Sequence, residues 1–147
     1  SLVDPTILTA VFLDHNAIKA LPTGPLHQLT NLRTLSLRDN ELRALSGLEL
    51  FPKLRCLDVT NNFLHSFPEG LRACRESLEE LYIGYNQIRL IPSYLSGFTN
   101  LRCISTIHNP LSNAVQFFAY TSEQTQRMLK RVRPKGEFLK SNDFRVS

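Results

Sequence analysis

An asparagine returns along this chain at Asn16, Asn40, Asn62, Asn86 and Asn109, spaced 24, 22, 24 and 23 residues apart. Each stands in the same frame, L-x-x-L-x-L-x-x-N-x-L with other apolar residues allowed for leucine. The copies are Leu8, Val11, Leu13, Asn16, Ile18; Leu32, Leu35, Leu37, Asn40, Leu42; Leu54, Leu57, Val59, Asn62, Leu64; Leu78, Leu81, Ile83, Asn86, Ile88; and Leu101, Ile104, Thr106, Asn109, Leu111. The fifth puts a threonine in an apolar slot. A fixed period over five copies restricts the chain to a stack of equal units, each too small to bury its own leucines.

The frame has a physical reading. L-x-L is a short strand, because side chains alternate faces with period two, so the leucines point inward and the residues between them outward. The asparagine turns the chain away, and its amide can satisfy backbone groups that the turn would leave buried and unpaired. Stacked asparagines therefore predict a ladder. The strands should be parallel and joined by right-handed crossovers. The return half of each unit carries Leu21-Pro22, Leu26 and Leu29; Leu45, Leu48 and Phe51; Phe67-Pro68, Leu71 and Cys74; and Ile91-Pro92, Leu95 and Phe98. Proline followed by apolar residues about three apart predicts a single 3-10 or α turn there, with Phe51 and Phe98 filling the core.

This pattern resembles the leucine-rich-repeat family over about three quarters of the chain. The resemblance implies an α/β fold: a right-handed solenoid or horseshoe with parallel strands on the concave face and short helical turns on the convex face. Asn109-Pro110 at the last repeat, with no cysteine-rich end cap, resembles the intracellular short-repeat type that closes with a helical C-terminal cap. Short intracellular members of that kind include phosphatase regulators, axonemal dynein light chains and cytoskeletal adaptors.

Two parts are expected: a five-repeat solenoid over residues 1–111, and a cap and tail over 112–147. Both ends of a stack need cover. At the start, Leu2, Val3 and Ile7 form a thin cover, or further repeats precede Ser1. The one methionine is Met128, so the chain is expected to belong to a larger protein. At the other end, residues 112–120 read as a short helix with Val115, Phe117 and Phe118 apolar. Thr121 and Gln124 fit a capping box for a second helix over 122–132, whose apolar face holds Met128, Leu129 and Val132. Arg127, Lys130, Arg131 and Arg133 crowd its C-terminal end, which suits the helix dipole. The tail beyond carries Phe138, Leu139 and Phe144 as isolated apolar anchors.

The frame also names the exposed columns. One reads Phe12, Ser36, Asp58, Tyr82, Ser105; the next Asp14, Arg38, Thr60, Gly84, Ile107; a third His15, Asp39, Asn61, Tyr85, His108; and one precedes the central leucine, Ala10, Thr34, Cys56, Glu80, Cys103. Phe12, Tyr82, Tyr85 and Ile107 are not what a merely wet face needs, and exposed aromatics near arginine are typical of binding anchors. The candidate partner-binding set is Phe12, Arg38, Asp58, Glu80, Tyr82, Tyr85, Arg102 and Ile107. The bland alternative is that the cap covers Ile107, the tail covers a tyrosine, and the mixed charges only pair across strands.

Catalytic and metal chemistry find no motif. There is no paired C-x-x-C or H-x₃₋₅-H spacing and no phosphate-binding glycine loop, so no catalytic residue, metal or cofactor is expected. Cys56 and Cys103 share a column two coils apart, roughly 10 Å, too far for a disulfide. Three sparse cysteines argue for a reducing compartment. The net charge is +4. Residues 1–111 hold ten Lys/Arg and ten Asp/Glu, while 112–147 hold seven and three, so the body is neutral and the end basic. No stretch approaches the roughly 18 apolar residues of a membrane helix.

The resemblance implies a non-catalytic scaffold or adaptor that binds a protein through its concave face. It is expected in the cytoplasm, associated with the cytoskeleton or, as the second choice, nuclear, and as a monomer or in a hetero-complex. No membrane is expected as a partner. The basic helix from Arg127 to Lys135 motivates an alternative, a component of an RNA–protein particle, which the neutral strand face argues against. A third reading is the targeting domain of a larger enzyme.

Overall fold

The computed structural model describes residues 4–114, 118–119 and 121–132. Five short strands stack in sequence order: β1 (Ala10–Phe12), β2 (Thr34–Ser36), β3 (Cys56–Asp58), β4 (Glu80–Tyr82) and β5 (Cys103–Ser105). All four pairings among them are parallel and in strict register, so Val11, Leu35, Leu57, Leu81 and Ile104 stand side by side. The last four of these are fully buried. One helical turn lies in each return: α1 (Thr23–Leu26), then 3-10 turns at Leu48–Leu50, Glu69–Cys74 and Ser93–Gly97. Phe51 and Phe98 are buried among them, with Leu48, Leu71 and Leu95.

The asparagine ladder is present. Asn62 Nδ2 donates to the carbonyls of Val59 and Thr60 in its own turn and of Leu37 in the coil before. Its Oδ1 accepts from the Leu42 amide of that same coil. Asn40, Asn86 and Asn109 repeat the arrangement. Each is buried in a turn that water does not reach, so the amide replaces the solvent. Asn16 has no described coil before it and, among the described residues, bonds to Leu13 and Asp14 of its own turn. Asn113 adds a rung outside the repeat frame, exchanging two hydrogen bonds with Ile91.

The residue before each asparagine, His15, Asp39, Asn61, Tyr85 or His108, has a φ between 54° and 57°. This third column thus belongs to the turn as much as to the face. Its amides continue the ladder beyond the strands, from His15 to the Arg38 carbonyl, Asp39 to Thr60, Asn61 to Gly84 and Tyr85 to Ile107.

The two ends differ. Ile7 and Leu8 are exposed, and Val11, Leu13 and Ile18 are only partly buried, because the described residues place a coil on only one side of the first. Leu2 and Val3 lie outside the described residues. At the other end the expected helix over 112–120 is corrected. Phe118–Ala119 form a strand, β6, that pairs antiparallel with β5. The open edge of β5 offers unpaired backbone groups, and satisfying them outweighs the weak helical pattern of so short a segment. Val115 and Phe117 lie outside the described residues.

Helix α2 (Ser122–Leu129) follows. Thr121 caps it by accepting from the Gln124 amide. Thr125 and Leu129 are buried, Met128 and Val132 pack against the core, and Gln126 donates to the carbonyls of Phe98 and Leu101. The helix stops three residues short of the expected Val132, because the last turn tightens into i→i+3 bonds from Arg131 to Met128 and Val132 to Leu129. Arg133 and the tail anchors Phe138, Leu139 and Phe144 lie outside the described residues.

Candidate partner-binding face

Register sets which outward side chains meet. Asp58 stands opposite Tyr82, and Tyr82 opposite Ser105. One residue beyond the core position that follows them lie Thr60, Gly84 and Ile107. Together with Arg38 and Tyr85 these residues line one hollow of about 480 Å³ on the strand face. Five of the eight candidate residues, Arg38, Asp58, Tyr82, Tyr85 and Ile107, are therefore brought together. Glu80 and Arg102 line an adjoining hollow of about 360 Å³ near the starts of the strands. Phe12 lies on β1 in neither hollow, and is 68% exposed.

Gly84 lines the larger hollow, and its lack of a side chain lets Ile107 approach it closely. In its column the neighbours are Thr60 and Ile107, and a Cβ on Gly84 would sit 3.1 Å from the Ile107 side chain and carbonyl. Gly84 is the one glycine among the outward positions, but the hollow is legible only once its walls are known. Thr60 and Ser105 complete those walls and were not among the candidates.

The two tyrosines are held differently. Tyr82 is half-buried, and its phenol donates to the Glu80 carboxylate at 3.0 Å and meets the Cys103 sulfur at 3.4 Å. Burial, with Cys103 and Glu80 next in importance, pushes its ionisation far above the usual phenol range. Tyr82 therefore offers a neutral ring edge. Tyr85 is 48% exposed, and its ring stacks on His108 with centroids 4.2 Å apart. Its backbone is left-handed. His, Asp and Asn, which fill the other four places of that column, tolerate this conformation, whereas a tyrosine there is uncommon. Such local misfits gather at functional sites.

The charges on this face pair across coils. Arg38 meets Asp58 at 3.5 Å, and His15 meets Asp39 at 2.8 Å. Asp39 also accepts from the Asn61 amide group. Asp14 is taken up by Ser36 and the Arg38 amide. Exposed pairs of this kind add little to stability. They keep the strand face electrically mixed.

The three cysteines are free. Burial pushes the Cys56 thiol up to about 12, with Glu80 and Asp58 adding to it, and burial alone takes Cys74 to about 11. These are poor nucleophiles. Among the described residues no group of three or more His, Cys, Asp or Glu is placed to hold a metal ion. Among the same residues no helix is long and apolar enough to cross a membrane.

A right-handed stack of leucine-bearing coils, tied by an asparagine ladder, with a socketed strand face, defines a solenoid of the leucine-rich-repeat class. A family model described as leucine-rich repeat matches residues 28–135, and the chain belongs to that family. It is 35% identical over 112 residues to fibromodulin of Oryctolagus cuniculus, covering 75% of this chain and 74% of that sequence. It is 33% identical over 101 residues to a probable U2 small nuclear ribonucleoprotein A' of Drosophila melanogaster, covering 65% of this chain and 38% of that protein. Among solved structures it is similar to a chain of the TLR13–ssRNA13 complex, with a TM-score of 0.53 and 29% identity over 71% of this chain and 19% of that one.

Proposed function

We propose that the chain is a non-catalytic protein-interaction module that seats an apolar side chain of a partner protein between Tyr82, Tyr85 and Ile107. The observation that carries this reading is the Gly84 socket, walled by an exposed tyrosine whose backbone is unfavourable for its type. Aromatic anchors around a desolvated pocket supply most of the energy of an interface. Arg38 and Asp58 stand at the rim, where charge selects among partners and sets the docking register. Glu80 belongs to the reading through its hold on the Tyr82 phenol. Phe12 belongs to it as an outlying contact on β1. The basic cap is a separate unit of the function, closing the stack after residue 111.

Membership of the leucine-rich-repeat family supports an interaction role. The three sparse, free cysteines support a reducing compartment, the cytoplasm first and the nucleus second. The second reading, an RNA–protein particle component, is favoured by the likeness to the Drosophila ribonucleoprotein and to the TLR13 chain complexed with ssRNA13. The socket argues for a protein ligand, because its walls hold one arginine balanced by one aspartate.

A photo-crosslinking residue at Thr60, on the socket's rim, should capture a protein from extract of the source cell, whereas the same residue at exposed Arg89 should not. Equal labelling at both positions would remove the socket from the account.

A further inference from the structure

A row of charge stands immediately before the strands: Arg33, Arg55, Glu79 and Arg102, on consecutive coils. Its backbone is fixed. The Arg33 carbonyl accepts the amides of both Arg55 and Cys56, the Arg55 carbonyl those of Glu79 and Glu80, and the Glu79 carbonyl those of Arg102 and Cys103. Three guanidiniums are thus presented from rigid positions, neighbouring strands being about 4.8 Å apart. Glu79 lies between two of them, 3.4 Å from Arg55 and 3.6 Å from Arg102. One carboxylate shared by two forks, each with five N–H donors, leaves donors on both unused. Arg33 is exposed and has no carboxylate within ion-pair distance among the described residues.

The row forms a ridge between two hollows. The one towards the strand face is the smaller hollow already described. The other, about 640 Å³, adds Lys53 and Glu76, so its lining has four cations against two carboxylates. This excess sits on a body whose first 111 residues carry ten charges of each sign. The basic character is therefore concentrated along one rim of the repeat and is not spread over it.

We propose that this rim binds an acidic segment of a protein partner, with Asp or Glu carboxylates meeting Arg33, Arg55 and Arg102. Arginine forks match carboxylates bidentately, and their fixed backbones reduce the ordering cost of binding. A single-stranded nucleic acid fits less well. The larger hollow has no aromatic side chain on which a base would stack, and Glu76 and Glu79 stand in the path of a continuous phosphate chain. This surface is distinct from the Tyr85 socket and stands whether or not the socket is used.

The test is fluorescence anisotropy of the full chain with three labelled probes: a short peptide of alternating Glu and Ala, its Lys/Ala counterpart and a uridine oligomer of equal length. The Glu/Ala peptide should bind, weaken with added salt and exceed both others. Arg33→Glu with Arg102→Glu should weaken it by about tenfold or more, while Arg43→Glu with Arg89→Glu, outside the rim, should leave it within about twofold. Tyr85→Ala should not change it, which separates this surface from the socket. Glu79→Gln, a mild change in a folded chain, should tighten it. Absence of binding, equal loss in the two arginine pairs, loosening by Glu79→Gln, or tighter binding of the uridine oligomer would each overturn the proposal.

Discussion

At the scale of the residue, Tyr85 carries the most information. Its φ of 54° suits Asn, Asp or His, and the four equivalent positions hold those types. Replacing it with Asn, as at position 61, relieves the left-handed strain and removes the stack on His108. These oppose each other, about 1–2 kcal/mol against about 0.5–1.5. Tyr85→Asn should therefore unfold within about 1 kcal/mol of the parent in urea. A much larger loss of stability would make Tyr85 a structural residue. The thiols give a second residue-scale expectation. Cys56 and Cys74 ionise in the unfolded chain near the ordinary value of 9.0, but near 12 and 11 when folded. Below pH 9 both states keep the proton and nothing changes. Between pH 9 and about 11 for Cys74, and about 12 for Cys56, the unfolded chain loses the proton before the folded one, so these thiols make stability fall as pH rises through that window. The urea midpoint followed from pH 8 upward should decline, and Cys56→Ala should decline less steeply; identical slopes would contradict the burial of that thiol.

At the scale of the element, the coil is joined to the one before it by its asparagine. Asn62 makes bonds both to its own turn and to the previous coil, whereas Asn16, among the described residues, bonds within its turn. Asn62→Ala should cost about 2–4 kcal/mol through buried groups left unpaired, and Asn16→Ala about 1 kcal/mol or less. Equal costs by urea unfolding would mean that the ladder does not couple coils. The five strands and this ladder were legible in the sequence because both depend on residues at fixed spacing. Strand β6 was not. Two residues, Phe118 and Ala119, carry no period, and their conformation comes from the unsatisfied edge of β5. Asn113 was missed for a related reason, since its partner Ile91 lies a coil away and outside the repeat frame. Thr106, a polar residue in a leucine slot, is buried all the same.

At the scale of the whole molecule, the stack converts sequence columns into surface. The columns named Tyr82, Tyr85, Ile107, Arg38 and Asp58 as candidates one at a time; the fold places them around one hollow. What the columns did not convey was the close approach of Ile107 to Gly84, or the separation of Glu80 and Arg102 into a second hollow. Phe12 remains apart from both, on the first of the described strands. The charged rim and the apolar socket occupy different ends of the strands, so one extended partner reaching both would gain selectivity from the first and residence time from the second.

The central claim is that the socket holds a protein. The most direct measurement is affinity capture from the source cell with the parent chain and Tyr85→Asn, each with and without nuclease, the bound proteins being identified by mass spectrometry. The parent should recover a protein that is lost with Tyr85→Asn and indifferent to nuclease. Capture in which no protein is lost with Tyr85→Asn, or in which the protein lost is also removed by nuclease, would contradict a protein-binding socket.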